Sequence, residues 1–303
     1  MTAAERGTRT GGLLYGIGAY GSWGLFPAFF PLLEPAGAFE VLAHRIVWTA
    51  VAVAVVIIAV GRVRDLRGMS ARTWLTLTCS SALISANWVI FIYAVNNGHV
   101  VDAALGYFIT PLVSVALGVL IFKESLNRIQ LLALVIAIVA VLILAIEVGA
   151  PPWIALGLAC SFGLYGAVKK VVPVDPSVSV GVEAGLAAPP AVVFIAVLQL
   201  SGHGTFIGHG PWHTALMMIS GPVTAIPLLL FAAAAQRLPL VTLGLLLYLN
   251  PAMQMTWGVV VGHEPMPPAR WAGFALIWLA LVVFTVDAIR RARRGSTVET
   301  APA

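Results

Sequence analysis

Residues 105–124 read LGYFITPLVSVALGVLIFKE, and residues 245–264 read LLLYLNPAMQMTWGVVVGHE. Pro111, Gly118 and Glu124 in the first stretch keep the separations of Pro251, Gly258 and Glu264 in the second. Ser22-Trp23-Gly24-Leu25 and Ser161-Phe162-Gly163-Leu164 supply a further match between the same two halves. Self-similarity at a long, fixed offset is the mark of an internal structural repeat. Each quoted stretch is an apolar run that ends in a carboxylate, as expected of a helix crossing a hydrocarbon layer about 30 Å thick.

Working outward from these stretches, polar or turn-forming interruptions divide the chain into apolar segments near 11–33, 38–60, 74–96, 102–122 and 129–147. A second set follows near 153–170, 178–200, 212–235, 240–262 and 269–288. The fold class is therefore an all-α membrane protein of about ten transmembrane helices. Five helices per repeat is an odd number, so equivalent helices must cross the bilayer in opposite directions, giving two inverted repeats. The domains read as an N-terminal tail (1–10), a first five-helix repeat (11–148), a second (149–289) and a basic C-terminal tail (290–303). Pro27, Pro31, Pro111, Pro227 and Pro251 fall inside spans and are candidate breaks or kinks.

Composition agrees. Of the 303 residues, 60% are hydrophobic and 10% are charged, against about 25% charged in a soluble domain. The formal charge of +5 does not point to nucleic acid, because no basic, aromatic-interleaved patch accompanies it. With both termini cytoplasmic, the basic loop residues fall on one side: Arg6, Arg9, Arg62, Arg64, Arg67, Arg72, Lys123, Arg128, Lys169, Lys170, Arg237 and Arg290 to Arg294. Of 17 basic residues only Arg270 is left in an outer loop and only Arg45 within a span, while Glu34, Asp102, Glu147 and Glu264 face outward. The positive-inside rule thus predicts a multi-pass protein of the cytoplasmic membrane. Arg6 and Arg9 before an apolar run look like a secretory signal, but no small-residue cleavage site follows, so a retained first helix is expected. Cys79 and Cys160 lie in apolar segments and predict no disulfide framework.

Several motifs carry a resemblance: Tyr20-Gly21-Ser22-Trp23-Gly24, His44-Arg45, Asn87-Trp88, Leu105-Gly106-Tyr107-Phe108 through Pro111-Leu112, Tyr165-Gly166 with Lys169-Lys170, Thr224-Ala225-Ile226-Pro227-Leu228, and Tyr248 to Pro251. Spread over almost the whole chain, they resemble the RarD-type branch of the EamA-like proteins in the drug/metabolite transporter superfamily. The resemblance implies a ten-helix inner-membrane permease. The sequence departs from the family's tendency to place a small polar residue before Leu105, since Ala103 and Ala104 stand there.

An ionisable group inside a span is costly, about 2.5–3.5 kcal/mol on insertion scales, and is a functional candidate by default. Glu40 and His44 lie one helical turn apart, with Arg45 flanking the same stripe. One reading has Arg45 neutralise an anionic substrate group while Glu40 and His44 exchange protons; the other is a packing triad at the outer leaflet. Glu183 enters the seventh span at a matching depth from the opposite side. It is a candidate for gating or coupling, or else snorkels to the interface or pairs with Lys169 or Lys170. Trp23, Asn87, Trp88, Tyr93, Tyr107, Tyr165, Tyr248, Asn250 and Gln254 are candidate pathway-lining residues, since a small-molecule cavity combines aromatic walls with a few hydrogen-bonding groups. Aromatic belts and interhelical hydrogen bonds account for such residues equally well.

Other motifs predict nothing catalytic. Gly16-x-Gly18-x-x-Gly21 follows no strand and reads as helix packing. His203, His209 and His213 lack an acidic or cysteine partner and read as solvated loop histidines, so no metal is expected. Arg290 to Arg294 read as a headgroup anchor, with regulatory protein binding the lesser alternative. No GxxxxGK[ST] loop supports ATP energisation, and no cofactor is expected. The expectation is a secondary transporter, not an enzyme, that moves a small organic molecule through the lipid bilayer by alternating access, with proton coupling and a homodimer left open. A membrane sensor or assembly factor, and a lipid-modifying enzyme, are the alternatives.

Overall fold

The computed structural model describes residues 3–97, 99–148, 153–261 and 268–297. Within a bilayer, backbone N–H and C=O groups must be satisfied inside the segment, and all regular structure among the described residues is helical. The order is α1 (Ala3–Gly24), α2 (Phe26–Phe29), a 3-10 turn (Phe30–Leu33), α3 (Ala38–Ala59), α4 (Val63–Arg67), α5 (Ala71–Asn96) and α6 (Val100–Leu120). There follow α7 (Arg128–Val148), α8 (Trp153–Val171), α9 (Pro176–Leu200), α10 (Pro211–Ala235), α11 (Leu240–Leu247), α12 (Leu249–Val260) and α13 (Pro268–Thr297). Among the described residues six helices are long and apolar enough to cross a membrane, namely α3, α5, α7, α8, α9 and α10. Shorter apolar stretches lie in α6, α11–α12 and α13. Only 22% of the α9 window is buried inside the protein, and side chains such as Val193, Val197 and Leu200 stand exposed. That apolar exterior needs lipid, and the chain is a multi-pass membrane protein.

The prolines act selectively. The first predicted span breaks after Gly24, where Pro27 opens α2 and Pro31 opens the 3-10 turn. The ninth breaks at Tyr248, and Pro251 falls in the first turn of α12, where its missing N–H has no helical partner to lose. Pro111 and Pro227 lie within uninterrupted α6 and α10. Helix α13 runs on to Thr297 and α1 starts at Ala3, so helix extends into both predicted tails. Glu264 and the 149–152 linker lie outside the described residues.

Local chemistry fixes several starts. Asn127 Oδ1 accepts from the N–H groups of Ile129 and Gln130 (2.8 and 2.9 Å), while Gln130 Oε1 accepts from Asn127 N (3.1 Å), a reciprocal cap on α7. Asp175 caps α9 through Ser177 N (2.9 Å), with Pro176 at the first helical position. The start of α11 is capped from a distance, since the Glu124 carboxylate accepts from both Leu240 N and Val241 N at 2.8 Å.

Packing is symmetric under exchange of the halves. Extensive contacts join equivalent helices, α3 with α9, α6 with α11 and α7 with α13, beside those of α6 with α8 and of α3 with α10. The pairing of α1 with α10 is mirrored by α5 with α8, and that of α6 with α8 by α12 with α1. Contacts between successive helices of one half, such as α3 with α5, are slight. The halves interlock and do not form two separate bundles.

The tightest approach is between α3 and α10. A Cβ built on Gly221 would overlap the backbone carbonyl and Cβ of Trp48, and Thr49 Oγ1 donates to Gly221 O at 3.1 Å. Small residues at such crossings let membrane helices meet backbone to backbone.

Candidate functional site

A cavity of about 230 Å³ lies where the two halves meet. Helix α5 presents Ile84, Asn87, Trp88 and Phe91 to it, the i, i+3, i+4, i+7 stripe of one helical face. Trp23 comes from α1, Phe26 and Pro27 from α2, Phe30 from the 3-10 turn, and Tyr107 and Phe162 from α6 and α8. Arg45 of α3, Thr224 and Leu228 of α10, Leu247 of α11, and Asn250 and Gln254 of α12 complete the wall. The break after Gly24 aims the Phe26 and Phe30 rings inward, and their centroids lie 5.1 Å apart.

Arg45 is the only described cation in this wall. Its guanidinium carbon sits 5.3 Å from the Phe26 centroid, 5.1 Å from Phe30 and 5.8 Å from Trp88. The Thr224 hydroxyl donates to Ser220 O (2.8 Å) and so offers a lone pair to Arg45 Nε (2.9 Å). Gln254 Nε2 donates to Asn250 Oδ1 (2.8 Å) and Trp23 O (3.3 Å), tying α12 to α1. Asn87 Nδ2 donates to Leu158 O and Ser161 Oγ, both at 3.0 Å, tying α5 to α8.

One end of the cavity is stoppered in layers. Tyr20, Trp23, Phe162, Tyr165 and Phe231 form an aromatic cluster, with Tyr165 stacked on Phe231 at 5.6 Å. A void of about 10 Å³ separates Ile84, Trp88 and Leu228 from Tyr165 and Glu183, about the space of one water. Beneath it Lys169 Nζ pairs with Glu183 Oε1 at 2.7 Å and donates to Ser179 Oγ at 2.6 Å. Tyr165 OH donates to Glu183 Oε2 at 3.2 Å, and Ser81 Oγ to Glu183 O at 2.9 Å. Beside this layer Lys170 pairs with Glu124 (3.2 Å) and donates to Leu238 O (2.8 Å).

Of the residues singled out in the sequence, Trp23, Arg45, Asn87, Trp88, Tyr107, Asn250 and Gln254 stand on the cavity. The cluster around Arg45 is divided. Glu40 and His44 share a face, but Arg45 is turned about 100° from His44 around the helix and looks the other way. Glu40 accepts from Thr205 N (2.6 Å) and Thr205 Oγ1 (3.0 Å), holding the 201–210 loop. Since that hydroxyl donates to Glu40, His213 Nε2 must be the donor in its 3.0 Å contact with Thr205 Oγ1. His213 is buried, a correction to its reading as a solvated loop residue. His44 stacks on Phe206 at 4.5 Å and accepts from Trp48 Nε1 at 3.3 Å. Tyr93 is 54% exposed on the outer surface because it lies off the Ile84–Phe91 stripe. Tyr165 belongs to the stopper, and Tyr248 is buried at the α11–α12 break with its hydroxyl unpaired. Lys169, counted among the interfacial cations, is fully buried in its ion pair. Phe26 and Phe30 were not singled out, and Thr224 was named only within a family motif and not as a pathway residue; the i, i+4 spacing of the two Phe residues across Pro27 was the available signal.

Glu40 therefore yields a direct test. Glu40→Gln leaves Thr205 with weaker acceptors, a loss of about 1.5–3 kcal/mol for bonds to a charged group. Faster hydrogen exchange confined to residues 201–213, with ligand binding in the cavity unchanged, is the expected result.

The EamA-like transporter family matches residues 10–146. "Protein RarD" of Streptomyces exfoliatus is 50% identical over 96% of this chain and 93% of its own. "Uncharacterized transporter YojE" of Bacillus subtilis is 40% identical over 92% and 95%, and "Protein RarD" of Escherichia coli 37% over 94% and 97%. A solved crystal structure matches with a TM-score of 0.70 over 92% of this chain and 98% of that one, at 18% identity, a likeness of fold. With 50% identity to a RarD protein sustained over 96% of its length, and several of the motif residues gathered on a common cavity, the chain belongs to the RarD-type branch of the EamA-like transporter family, within the drug/metabolite transporter superfamily.

Proposed function

We propose that the protein is a secondary transporter that carries a small organic molecule across the cytoplasmic membrane by alternating access. The observation that carries this reading is the cavity at the meeting of two interlocked repeats, stoppered at one end. Repeats of opposite orientation favour two states of similar energy that exchange roles. The stoppered end also carries the exposed Arg62, Arg64, Arg67, Lys123 and Arg237, and Arg62 pairs there with Asp175 at 3.3 Å. By the positive-inside rule that end is cytoplasmic, along with both termini. The cavity is then shut from the cytoplasm by the aromatic cluster, the Lys169–Glu183 pair and the Glu124 cap. If movement is proton-coupled, Glu183 is the residue for it, since it borders the cavity's stopper while Glu40 is engaged with a loop.

The test is side-specific labelling. With Cys79 and Cys160 replaced by Ala, a cysteine at Leu247 is to be exposed to an impermeant maleimide from either face of sealed, oriented vesicles. Labelling from the outer face is expected, and Glu124→Gln should raise labelling from the cytoplasmic face severalfold, since about 1 kcal/mol lost from the cap shifts a two-state ratio about fivefold. Equal labelling from both faces before any substitution, or no response to Glu124→Gln, counts against alternating access.

A further inference from the structure

An unpaired charge in a membrane interior is retained only for a reason, and the surroundings of Arg45 are unusual in what they omit. Among the described residues no carboxylate lies within ion-pair reach of its guanidinium. The two nearest by sequence logic are taken, Glu40 by Thr205 and Glu183 by Lys169 and Tyr165. Arg45 spends only Nε, on Thr224, and among the described residues no acceptor lies within hydrogen-bond reach of Nη1 or Nη2. The fork that suits a planar oxyanion is left open in the cavity wall. Phe26, Phe30 and Trp88 flank it with ring faces, so a ligand bound there sets an apolar or flat body against aromatic surface. Among the described residues the cavity wall thus holds one fixed positive charge and no fixed negative one.

Resting on the transporter reading above, we infer that the ligand is an organic monoanion, a carboxylate or sulfonate on a flat apolar body, and that cations and zwitterions are rejected. The oxyanion supplies the counter-charge that Arg45 lacks. A ligand ammonium would be desolvated in the same cavity with no carboxylate among the described lining residues to receive it, a cost that discriminates against amino acids as well as amines.

Trp23 and Trp88 line the site and supply a fluorescence signal without any label. The protein in nanodiscs is to be titrated with phenylacetate, benzenesulfonate, phenylacetamide, phenethylamine and phenylalanine. The expected result is saturable quenching by at least one of the two anions, with the amide, amine and amino acid weaker by about tenfold or more. Arg45→Gln should remove that preference, and Arg45→Lys should keep part of it. The comparison of acid with amide on the unaltered protein decides the matter even if neither variant folds. Equal binding of the amide or the amine, or no saturable response to either anion, overturns the inference. Anion binding without flux in liposomes keeps the charge class and overturns transport. Arg45-independent flux of the amine keeps transport and overturns the charge class.

Discussion

Lys169→Met is expected to lower the stability of the protein by about 3–5 kcal/mol, the range for removing one partner of a buried ion pair. Lys169 is fully enclosed and its side chain lies 2.7 Å from Glu183 Oε1. Without it, Glu183 keeps only the hydroxyls of Tyr165 and Ser179 as donors to its carboxylate. Glu183→Gln, in turn, leaves the buried ammonium without a counter-charge, with a neutral amide oxygen and Ser179 as acceptors. The informative variant combines Lys169→Met with Glu183→Gln, since removing both charges of a buried pair is often near neutral. Unfolding in detergent micelles followed by tryptophan fluorescence should show both single variants with a lower midpoint and the double variant restored. The same double variant separates structure from coupling. If it is stable and a proton gradient still drives flux, Glu183 is a packing element and its coupling role is excluded.

The second large effect is steric. Gly221→Val should cost about 3 kcal/mol or more, at or beyond the upper end for overpacking, because the added carbons meet the backbone of Trp48 and not a movable side-chain tip. Helices α3 and α10 would have to separate, and the damage would not stay local. One turn beyond Gly221 lies Thr224, and one turn before Thr49 lies Arg45, joined by a 2.9 Å hydrogen bond across the cavity wall. Anion binding in nanodiscs is therefore expected to fall together with stability. A Gly221→Ala variant should rank between the two proteins in both measurements. Unchanged stability in Gly221→Val would show that the α3–α10 crossing is looser than its geometry states.

Much of this architecture was readable in the chain itself, for a physical reason. Apolar segments of bilayer length and a repeat fixed by Pro111, Gly118 and Glu124 leave few ways to arrange helices in lipid. Arg45, Asn87 and Gln254 stood out because polar side chains are rare within spans, and all three lie on the cavity. What stayed hidden depends on rotation about each helix axis and on partners distant in sequence. Glu40, His44 and Arg45 read as one stripe, yet a single step of helical rotation sends Arg45 to the cavity and Glu40 to a loop more than a hundred residues away. Lys169 next to Lys170 looked like an interfacial pair, and only the return of α9 across the Asp175 cap buries it against Glu183. Thr224 entered only as part of a family motif and the two Phe residues only as an i, i+4 pair across Pro27, weak signals because such side chains are common in any membrane helix.

The cross-half packing also bears on how the molecule is made. Helix α7 finds its principal neighbour in α13, the last of the described helices, and α3 finds its own in α9 and α10. While the ribosome is still synthesising the second half, the first must wait in the bilayer with Arg45 and Asn87 lacking Thr224 and Ser161. Assembly of the first half thus waits until α9, α10 and α13 have been made, and the earlier half is a dependent of the later one.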